Sequence, residues 1–226
     1  MVAIDKKVLL IDSDPQGNAS TGLGIIEDCR TPSLYDLLTN GAFNEKAIKR
    51  TSIPNLDIIT STQDLAASEI ELADVANREK QLNKIIKKIP GYDYFFIDCP
   101  PALGLLTING LVAASSVIVP LQCEFFALEG LSALTNTIES IKQSFNPGLE
   151  IEGVVLTMHD KRNSLSELVE KDVRGFFGDK VYKTIIPRNV RISEAPSHGK
   201  PVLIYDTTCV GSKAYIDLAK EVIFNQ

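Results

Sequence analysis

Cysteine, histidine and tryptophan are scarce in this 226-residue chain, which has four cysteines, two histidines and no tryptophan. The cysteines form no C-x-x-C pair, and they lie at Cys29, Cys99, Cys123 and Cys209. Zinc frameworks and disulfide frameworks need closely and regularly spaced ligands or many cysteines, so neither is expected here. The composition instead predicts reduced thiols in a cytosolic protein.

Long apolar runs and an excess of positive charge are also missing. No apolar run reaches the roughly 18 residues that a membrane-spanning helix needs. No apolar stretch with a small-residue cleavage site follows Lys6 and Lys7, so no secretory signal is expected. The net charge of −6 argues against a uniformly basic coat for nucleic acid. Residues 1–150 carry −7 and residues 151–226 carry +1, so a local anion-binding face in the last third stays open.

Strand-like and helix-like segments alternate along the chain. Short apolar runs predict six strands, at Lys7–Ile11, Leu56–Thr60, Tyr94–Asp98, Ser116–Pro120, Ile151–Thr157 and Lys183–Ile186. Helical periodicity predicts helices at Gln63–Glu71, Val75–Ile89, Leu103–Ala113, Leu128–Phe145, Ser164–Phe177 and Ser212–Ile223. Such alternation predicts an α/β fold: a mainly parallel sheet with helices on both faces. No linker or repeat interrupts it, so we expect a single domain over residues 1–226.

An acid follows the third predicted strand in the run YDYFFIDCPP. Four apolar or aromatic residues precede Asp98, which is the arrangement of a Walker B acid that holds Mg²⁺ near nucleotide phosphates, usually through water. The alternative is that Asp98 caps the helix that follows the strand. The pattern alone leaves both interpretations open.

Two further acids follow the first predicted strand, in VLLIDSDPQGN. Asp12 and Asp14 are two residues apart, so their side chains point the same way while the chain is extended. Because Asp14 precedes a proline it does not readily enter a helix, and its carboxylate could orient or deprotonate an attacking water. The alternative is an Asx turn that closes the loop.

Four longer stretches together closely resemble the ParA/Soj-type partition ATPases, members of the deviant Walker A group that includes MinD. They are VLLIDSDPQGNASTGLGI, YDYFFIDCPPALGLLTINGL, VPLQCEFFALEGLSAL and YKTIIPRNVRISEAPSHGKPV. The resemblance extends from Val8 to about Val222. It implies a P-loop NTPase-like fold and a Mg²⁺- and ATP-dependent ATPase that dimerises when it binds nucleotide. It also implies a cytoplasmic protein, associated with the nucleoid when DNA is bound, that segregates chromosomes or plasmids.

The same resemblance implies roles for single residues. Asp14 matches the family's hydrolytic aspartate, and Asp98 matches the Walker B aspartate near magnesium. Met158, Pro187 and Asn189 lie where the family holds the adenine. The resemblance further implies partners: non-specific DNA and a centromere-binding ParB-like protein. Arg162 and Arg191 match arginines that contact DNA without sequence preference, a contact that should depend strongly on salt; their alternative is solvated loop arginines.

The sequence departs from the family pattern at the phosphate loop. The family's first strand is followed by K-G-G-V-G-K-T-T, whose backbone N–H groups and lysines hold the phosphates, and this sequence has no counterpart. The first βα unit is thus expected to be missing, with its strand beside those ending at Asp12 and Asp98. We therefore expect this chain alone to have weak ATPase activity. Two explanations of the missing unit stay open: a start assigned too far downstream, or a decayed or split gene.

Two other functions stay open from the sequence. One is a non-enzymatic remnant or interaction protein that keeps the scaffold. The other is a MinD-like ATPase that cycles on membranes, which predicts a basic amphipathic C-terminal helix. The tail AYIDLAKEVIFNQ is short and weakly basic, so this possibility ranks last.

Overall fold

The computed structural model describes Met1 and residues 5–224, and its chain forms two compact units. Unit 1 comprises Met1–Ala114 together with Ser197–Gly199. Unit 2 comprises Ser115–Pro196 and Lys200–Gln226. A single domain over residues 1–226 stays a prediction, and the two units are described one at a time.

Unit 1 is built on a four-stranded sheet in the order β2-β3-β1-β4. The strands are β1 Val8–Asp12, β2 Ile48–Arg50, β3 Leu56–Ile59 and β4 Tyr94–Asp98. Strands β3, β1 and β4 run parallel, and β2 pairs antiparallel with β3. β1 reads VLLID and is buried along most of its length, as expected of a strand with neighbours on both edges.

The helices of unit 1 cover this sheet and close its core. They are α1 Asn18–Gly22, α2 Leu34–Asn40, α3 Ser68–Glu71, α4 Gln81–Ile86 and α5 Leu105–Ala113. α2 begins with a capping box of Ser33 and Asp36, in which the Ser33 backbone N–H donates to Asp36 Oδ2 at 2.7 Å; the Ser33 hydroxyl also donates to that oxygen, at 3.1 Å. Its leucines pack with Leu9 and Ile11 of β1 in one buried apolar cluster.

Unit 2 is built on two parallel strands, β5 Ser116–Gln122 and β6 Glu150–Thr157. Its helices are α6 Ala127–Ser144, α7 Ser164–Phe177, α8 Val190–Glu194, α9 Val202–Tyr205 and α10 Val210–Phe224. A second apolar cluster joins inward residues of β5 and β6 to α6 and α7, among them Leu131, Val154 and Val173. The observed sheets, mostly parallel and flanked by helices, confirm the predicted α/β fold class.

The sixth predicted strand, Lys183–Ile186, does not form. The backbone N–H groups of Lys183 and Thr184 instead donate to the Glu221 carboxylate of α10, at 2.6 and 2.9 Å. Only isolated bridges remain on either side, Val154 with Val181 and His159 with Pro187. At Lys183 and Thr184 a side chain from a helix thus takes the place of the sheet partner, which the local apolar pattern could not reveal, whereas the Ile186 N–H still donates to the Leu156 carbonyl of β6 at 2.9 Å.

The placement expected for the absent strand also needs correction. β1 pairs with β3 on one edge and with β4 on the other, so no further strand can lie beside the strand that ends at Asp12. Within the described residues of unit 1, the outer edge of β4 carries no strand partner.

Across Met1 and residues 5–224, no helix is both long enough and apolar enough to cross a membrane. The longest helix, α6, has 18 residues and carries charged side chains among them, including Glu129, Glu139 and Lys142.

Candidate functional site: an acidic strand edge and a loop pair

Asp12 and Asp98 are brought together by the register of β1 and β4. The two strands are parallel neighbours, and Asp12 pairs with Asp98 at their carboxyl ends. The backbone continues the pairing by one residue, since Ser13 N–H donates to the Asp98 carbonyl at 2.8 Å. In open α/β sheets, ligands bind beyond this end of the strands. Unit 1 therefore presents its acids where the sequence predicted them.

Asp12 has a structural role. Its Oδ2 atom accepts from the Ser20 N–H at 2.8 Å and from the Ser20 hydroxyl at 2.6 Å, and the carboxyl is fully buried. Ser20 Oγ in turn accepts from the Ser61 N–H at 3.2 Å. Burial raises the pKa of Asp12, and the Ser20 hydrogen bonds oppose that rise. Asp12 thus fixes helix α1 against the sheet.

Asp14 lies half-buried in the turn that follows β1. Its Oδ1 atom accepts from the Gln16 N–H at 3.0 Å, and its carbonyl accepts from the Gly17 N–H at 2.9 Å. The Asx turn that the sequence left open is therefore present. The turn uses one carboxylate oxygen, and no hydrogen bond from the described residues reaches the other, Oδ2. The turn therefore orients the Asp14 carboxylate and leaves its Oδ2 atom available.

Asp98 is exposed at the end of β4 and does not cap a helix. Helix α5 starts at Leu105 with Gly104 as its N-cap residue, so the capping interpretation of Asp98 is wrong. Partial loss of hydration raises the pKa of Asp98 to about 6, and the charges of Asp12 and Asp14 add to the rise. Clustered carboxylates of this kind disfavour their own ionisation until a cation compensates them.

The donor set at this edge suits Mg²⁺ held through few protein atoms. Mg²⁺ prefers oxygen ligands, keeps several waters, and is commonly bound by one or two carboxylates together with phosphate oxygens. In the described part of the chain, no group of three or more His, Cys, Asp or Glu side chains could hold a metal by itself. Asp98, with its exposed carboxylate, fits the sparse arrangement and not an all-protein cage.

Arg30 supports this edge and was missed from the sequence. It is 8% exposed, and its guanidinium donates to Thr21 Oγ1 at 2.8 Å and to the Ser61 carbonyl at 3.4 Å. Gly17 lies against it with a left-handed φ of 61°, and a Cβ there would approach Arg30 Nη1 to 2.5 Å. Only the glycine three residues after Asp14 hints at this contact, because Arg30 lies in no recognisable motif.

The residues expected near adenine lie in unit 2, around the end of β6. Met158 is 39% exposed, with a φ of 51°, directly after the strand. The next residue, His159, bridges to Pro187 and thereby brings the 187–189 segment to this end of the strand. Asn189 caps α8, because its Oδ1 atom accepts from the Arg191 N–H at 2.9 Å. That cap leaves the amide N–H groups of Asn189 as donors for a ligand.

The two arginines expected to contact DNA are both in ion pairs. Arg162 makes a two-pronged contact with Asp160, through Nε at 3.1 Å and Nη2 at 3.0 Å. That contact lowers the pKa of Asp160 to about 2. Arg191 lies 2.9 Å from Glu194 and 3.6 Å from Asp206. Both arginines are exposed, but phosphate groups would have to compete with carboxylates for them.

Comparison with known proteins matches the chain along nearly its whole length. A family model described as an AAA domain matches residues 1–151. The chain is similar to the chromosome partitioning protein ParA of Caulobacter vibrioides, with 57% identity over 99% of this chain and 85% of that protein. It is also similar to the sporulation initiation inhibitor protein Soj of Bacillus subtilis, with 52% identity over 98% of this chain and 88% of that protein.

A solved structure agrees with these sequence matches. The cobyrinic acid a,c-diamide synthase of Mycobacterium smegmatis, crystallised with an ATP analogue and magnesium, superposes with a TM-score of 0.85. The two proteins are 34% identical, and the match covers 97% of this chain and 82% of that one.

Proposed function

Because this chain belongs to the ParA/Soj family of chromosome partitioning proteins, we propose that it acts in DNA segregation as a Mg²⁺- and ATP-dependent protein. The observation that carries the proposal is the acidic strand edge: Asp12 and Asp98 in register, with Asp14 held in the adjoining turn. Family membership favours this function over the non-enzymatic remnant and over the membrane-cycling ATPase.

In the proposed reaction, Asp14 orients the attacking water and takes its proton. The turn that holds Oδ1 leaves Oδ2 for this task, so the base is positioned before substrate binds. Asp98 would hold Mg²⁺ through water, and bound Mg²⁺ would neutralise charge on the phosphate oxygens. Asp12 contacts no substrate; it keeps α1, and with it the Asp14 turn, in place through Ser20.

For the adenine base we propose Met158, Pro187 and Asn189. Met158 and Pro187 offer apolar surface, and the Asn189 amide offers the directional donor. ATP and Mg²⁺ are thus the proposed ligands, and nucleotide binding would drive formation of a homodimer. The remaining proposed partners are DNA, bound without sequence preference through Arg162 and Arg191, and a centromere-binding ParB-like protein. The proposed location is the cytoplasm, at the nucleoid when DNA is bound.

The absence of a glycine-rich phosphate loop from this sequence sets the expected strength of nucleotide binding. Without a cradle of backbone N–H groups, the phosphates face mainly carboxylates, so we expect the 226-residue chain to bind ATP with a Kd weaker than micromolar. A titration of labelled ATP with Mg²⁺ measures this. Micromolar affinity would show that the phosphate loop is dispensable here.

The hydrolytic role of Asp14 is tested with a matched control. Mg²⁺-dependent release of phosphate from ATP should disappear in Asp14→Asn and persist in Asp28→Asn, since Asp28 is an exposed aspartate of unit 1 that belongs to the short helix Glu27–Cys29 and to neither β1 nor β4. Hydrolysis that survives in Asp14→Asn rules out Asp14 as the base. If the unsubstituted chain shows neither hydrolysis nor ATP-dependent binding to DNA, the non-enzymatic interaction protein replaces the proposal.

A further inference from the structure

Arg30 carries a buried guanidinium whose hydrogen bonds all go to neutral oxygens. The side chain is 8% exposed, and it donates to the Ile25 carbonyl at 3.1 Å, to the Ser61 carbonyl at 3.4 Å and to Thr21 Oγ1 at 2.8 Å. In the part of the chain that the structure describes, no carboxylate forms an ion pair with it. A buried charge without a charged partner costs stability, and an apolar side chain is often the more stable choice. Departures from such rules are typical of functional sites, so packing alone does not account for this arginine.

Helix α1 depends on contacts from outside itself. It has five residues, whereas isolated helices shorter than about 12 residues are marginal in water, and its N-cap residue Gly17 has no side chain to cap it. Asp12 holds α1 to the sheet through Ser20. Arg30 holds it through the next residue, Thr21. The position of α1 is thus set by two buried side chains.

Arg30 also reaches the Asp14 turn, through Gly17. Thr21 Oγ1 accepts from Arg30 at 2.8 Å and donates to the Gly17 carbonyl at 3.0 Å. The guanidinium lies directly against Gly17, where a Cβ would approach Nη1 to 2.5 Å. The Gly17 N–H donates to the Asp14 carbonyl at 2.9 Å and closes the turn in which Asp14 Oδ1 accepts from Gln16. A continuous series of contacts thus leads from the guanidinium to the Asp14 carboxylate.

The sheet anchors Arg30 at the other side. The Thr60 hydroxyl donates to the Arg30 carbonyl at 2.7 Å, and the next residue, Ser61, supplies one of the carbonyl acceptors of the guanidinium. Thr60 and Ser61 are fully buried and directly follow β3, which pairs with β1. Arg30 therefore relates the position of the Asp14 turn to the sheet.

We propose that Arg30 is a positioning residue for the proposed hydrolysis: its guanidinium fixes Gly17 and α1, and through them the Asp14 carboxylate that takes the proton of the attacking water. This inference rests on the proposed role of Asp14 and adds the residue that prepares it. Arg30 acts through Asp14 and not on the substrate. The rigid, planar guanidinium serves acceptors in several fixed directions at once, and the compact ammonium of a lysine does not reproduce that geometry. Charge alone is therefore not sufficient at this position.

NMR spectra of the full chain test the positioning without nucleotide. Because the Gln16 N–H donates to Asp14 Oδ1, its amide proton shifts as the carboxylate is titrated, and the amplitude of this shift depends on the geometry of the hydrogen bond. Arg30→Lys and Thr21→Val should each reduce the amplitude by about half or more. Ser33→Ala is the control: it removes a buried hydroxyl of unit 1 that bonds to α2 and not to α1, and it should keep the full amplitude.

Hydrolysis of ATP with Mg²⁺ gives the second measurement. Displacement of a catalytic group by about 1 Å can cost about 10²-fold in rate, so Arg30→Lys should lower kcat by about that factor and change KM by less than about twofold. Thr21→Val should act in the same direction, and Ser33→Ala should leave kcat within about twofold of the unsubstituted chain. Circular dichroism of each sample corrects kcat for the folded fraction.

The outcomes separate this inference from the proposed function. Full Gln16 amplitudes in both Arg30→Lys and Thr21→Val overturn the inference, as does an unchanged kcat, and hydrolysis by Asp14 then stands without Arg30. If Arg30→Lys does not fold, Thr21→Val decides alone. If the unsubstituted chain releases no phosphate, the proposed hydrolysis fails, and the amide amplitudes alone decide whether Arg30 sets the Asp14 turn.

Discussion

Replacement of Gly17 by alanine should destabilise unit 1 strongly, although it adds a single methyl group. Gly17 has a φ of 61°, and a left-handed conformation costs a non-glycine residue about 1–2 kcal/mol. The new Cβ would also lie 2.5 Å from Arg30 Nη1 and 3.2 Å from the Ser61 carbonyl oxygen. The guanidinium must therefore move, and it is buried.

The displaced Arg30 side chain sets the rest of the magnitude. It would weaken its hydrogen bonds to Thr21 Oγ1 and the Ser61 carbonyl, and loss of one such charged hydrogen bond costs about 1.5–3 kcal/mol. With the backbone cost, Gly17→Ala should lower the free energy of unfolding by about 2.5–5 kcal/mol. Urea denaturation followed by circular dichroism measures it.

Two further variants identify the cause. Gly17 is the N-cap residue of α1, and Gly22 is the last residue of that helix. A Cβ added at Gly22 would have no atom within 4 Å, so Gly22→Ala should change stability by less than about 1 kcal/mol. On an Arg30→Ala background the guanidinium part is lost, so Gly17→Ala should cost mainly the backbone part, about 1–2 kcal/mol, with the 3.2 Å contact to the Ser61 carbonyl oxygen remaining. Equal effects of Gly17→Ala and Gly22→Ala, or a Gly17→Ala effect that Arg30→Ala leaves unchanged, would refute the steric explanation.

Two other predictions concern an ion pair and a close backbone contact. Arg162→Ala should raise the pKa of Asp160 from about 2 toward its ordinary 3.8, because the guanidinium hydrogen bonds are its largest cause; carbon NMR of the carboxyl group follows the titration. Because the pKa of Asp160 is lower in the folded than in the unfolded chain, the pair stabilises the fold above about pH 4, and this contribution disappears as the pH falls toward 2. An Asp160 titration that is the same in Arg162→Ala as in the unsubstituted chain contradicts the prediction. Gly199→Ala should cost more than Gly178→Ala: both residues have positive φ, but only at Gly199 would a Cβ lie 2.7 Å from another backbone atom, Gly24 Cα. Thermal unfolding compares the two, and equal costs would mean that the contact relaxes freely.

The sequence predicted elements where local pattern and tertiary structure agree. β4 at Tyr94–Asp98 and α7 at Ser164–Phe177 have the predicted bounds, since one is a continuous apolar run and the other is strongly periodic with an Asn163 cap. The short helix α2 was missed, although its capping box, Ser33 with Asp36, is visible as S-x-x-D. Short helices of this kind are found when the sequence is searched for capping motifs before it is searched for helical periodicity.

The parts of the site that could not be predicted depend on contacts distant in sequence. Ser20 and Ser61 meet beside Asp12 from positions 41 residues apart, and no local pattern marks either one. The pairing of Arg162 with Asp160 could be read from their spacing, whereas the contact of Arg191 with Asp206 could not. Polar partners of buried groups depend on the completed fold.

The different surroundings of Asp12 and Asp14 place these two identical residues under different selection. Substitution of the buried Asp12 by a residue without an acceptor removes its two hydrogen bonds from Ser20 and so the contact that holds α1. Every folded descendant must therefore keep an acceptor at position 12. The turn at Asp14 needs only one acceptor for the Gln16 N–H, which asparagine or serine also provides. A lineage that abandons hydrolysis is thus free to drift at position 14 while it retains position 12. Under the proposed mechanism, position 14 among relatives of this chain would report on hydrolysis, whereas position 12 would report on folding.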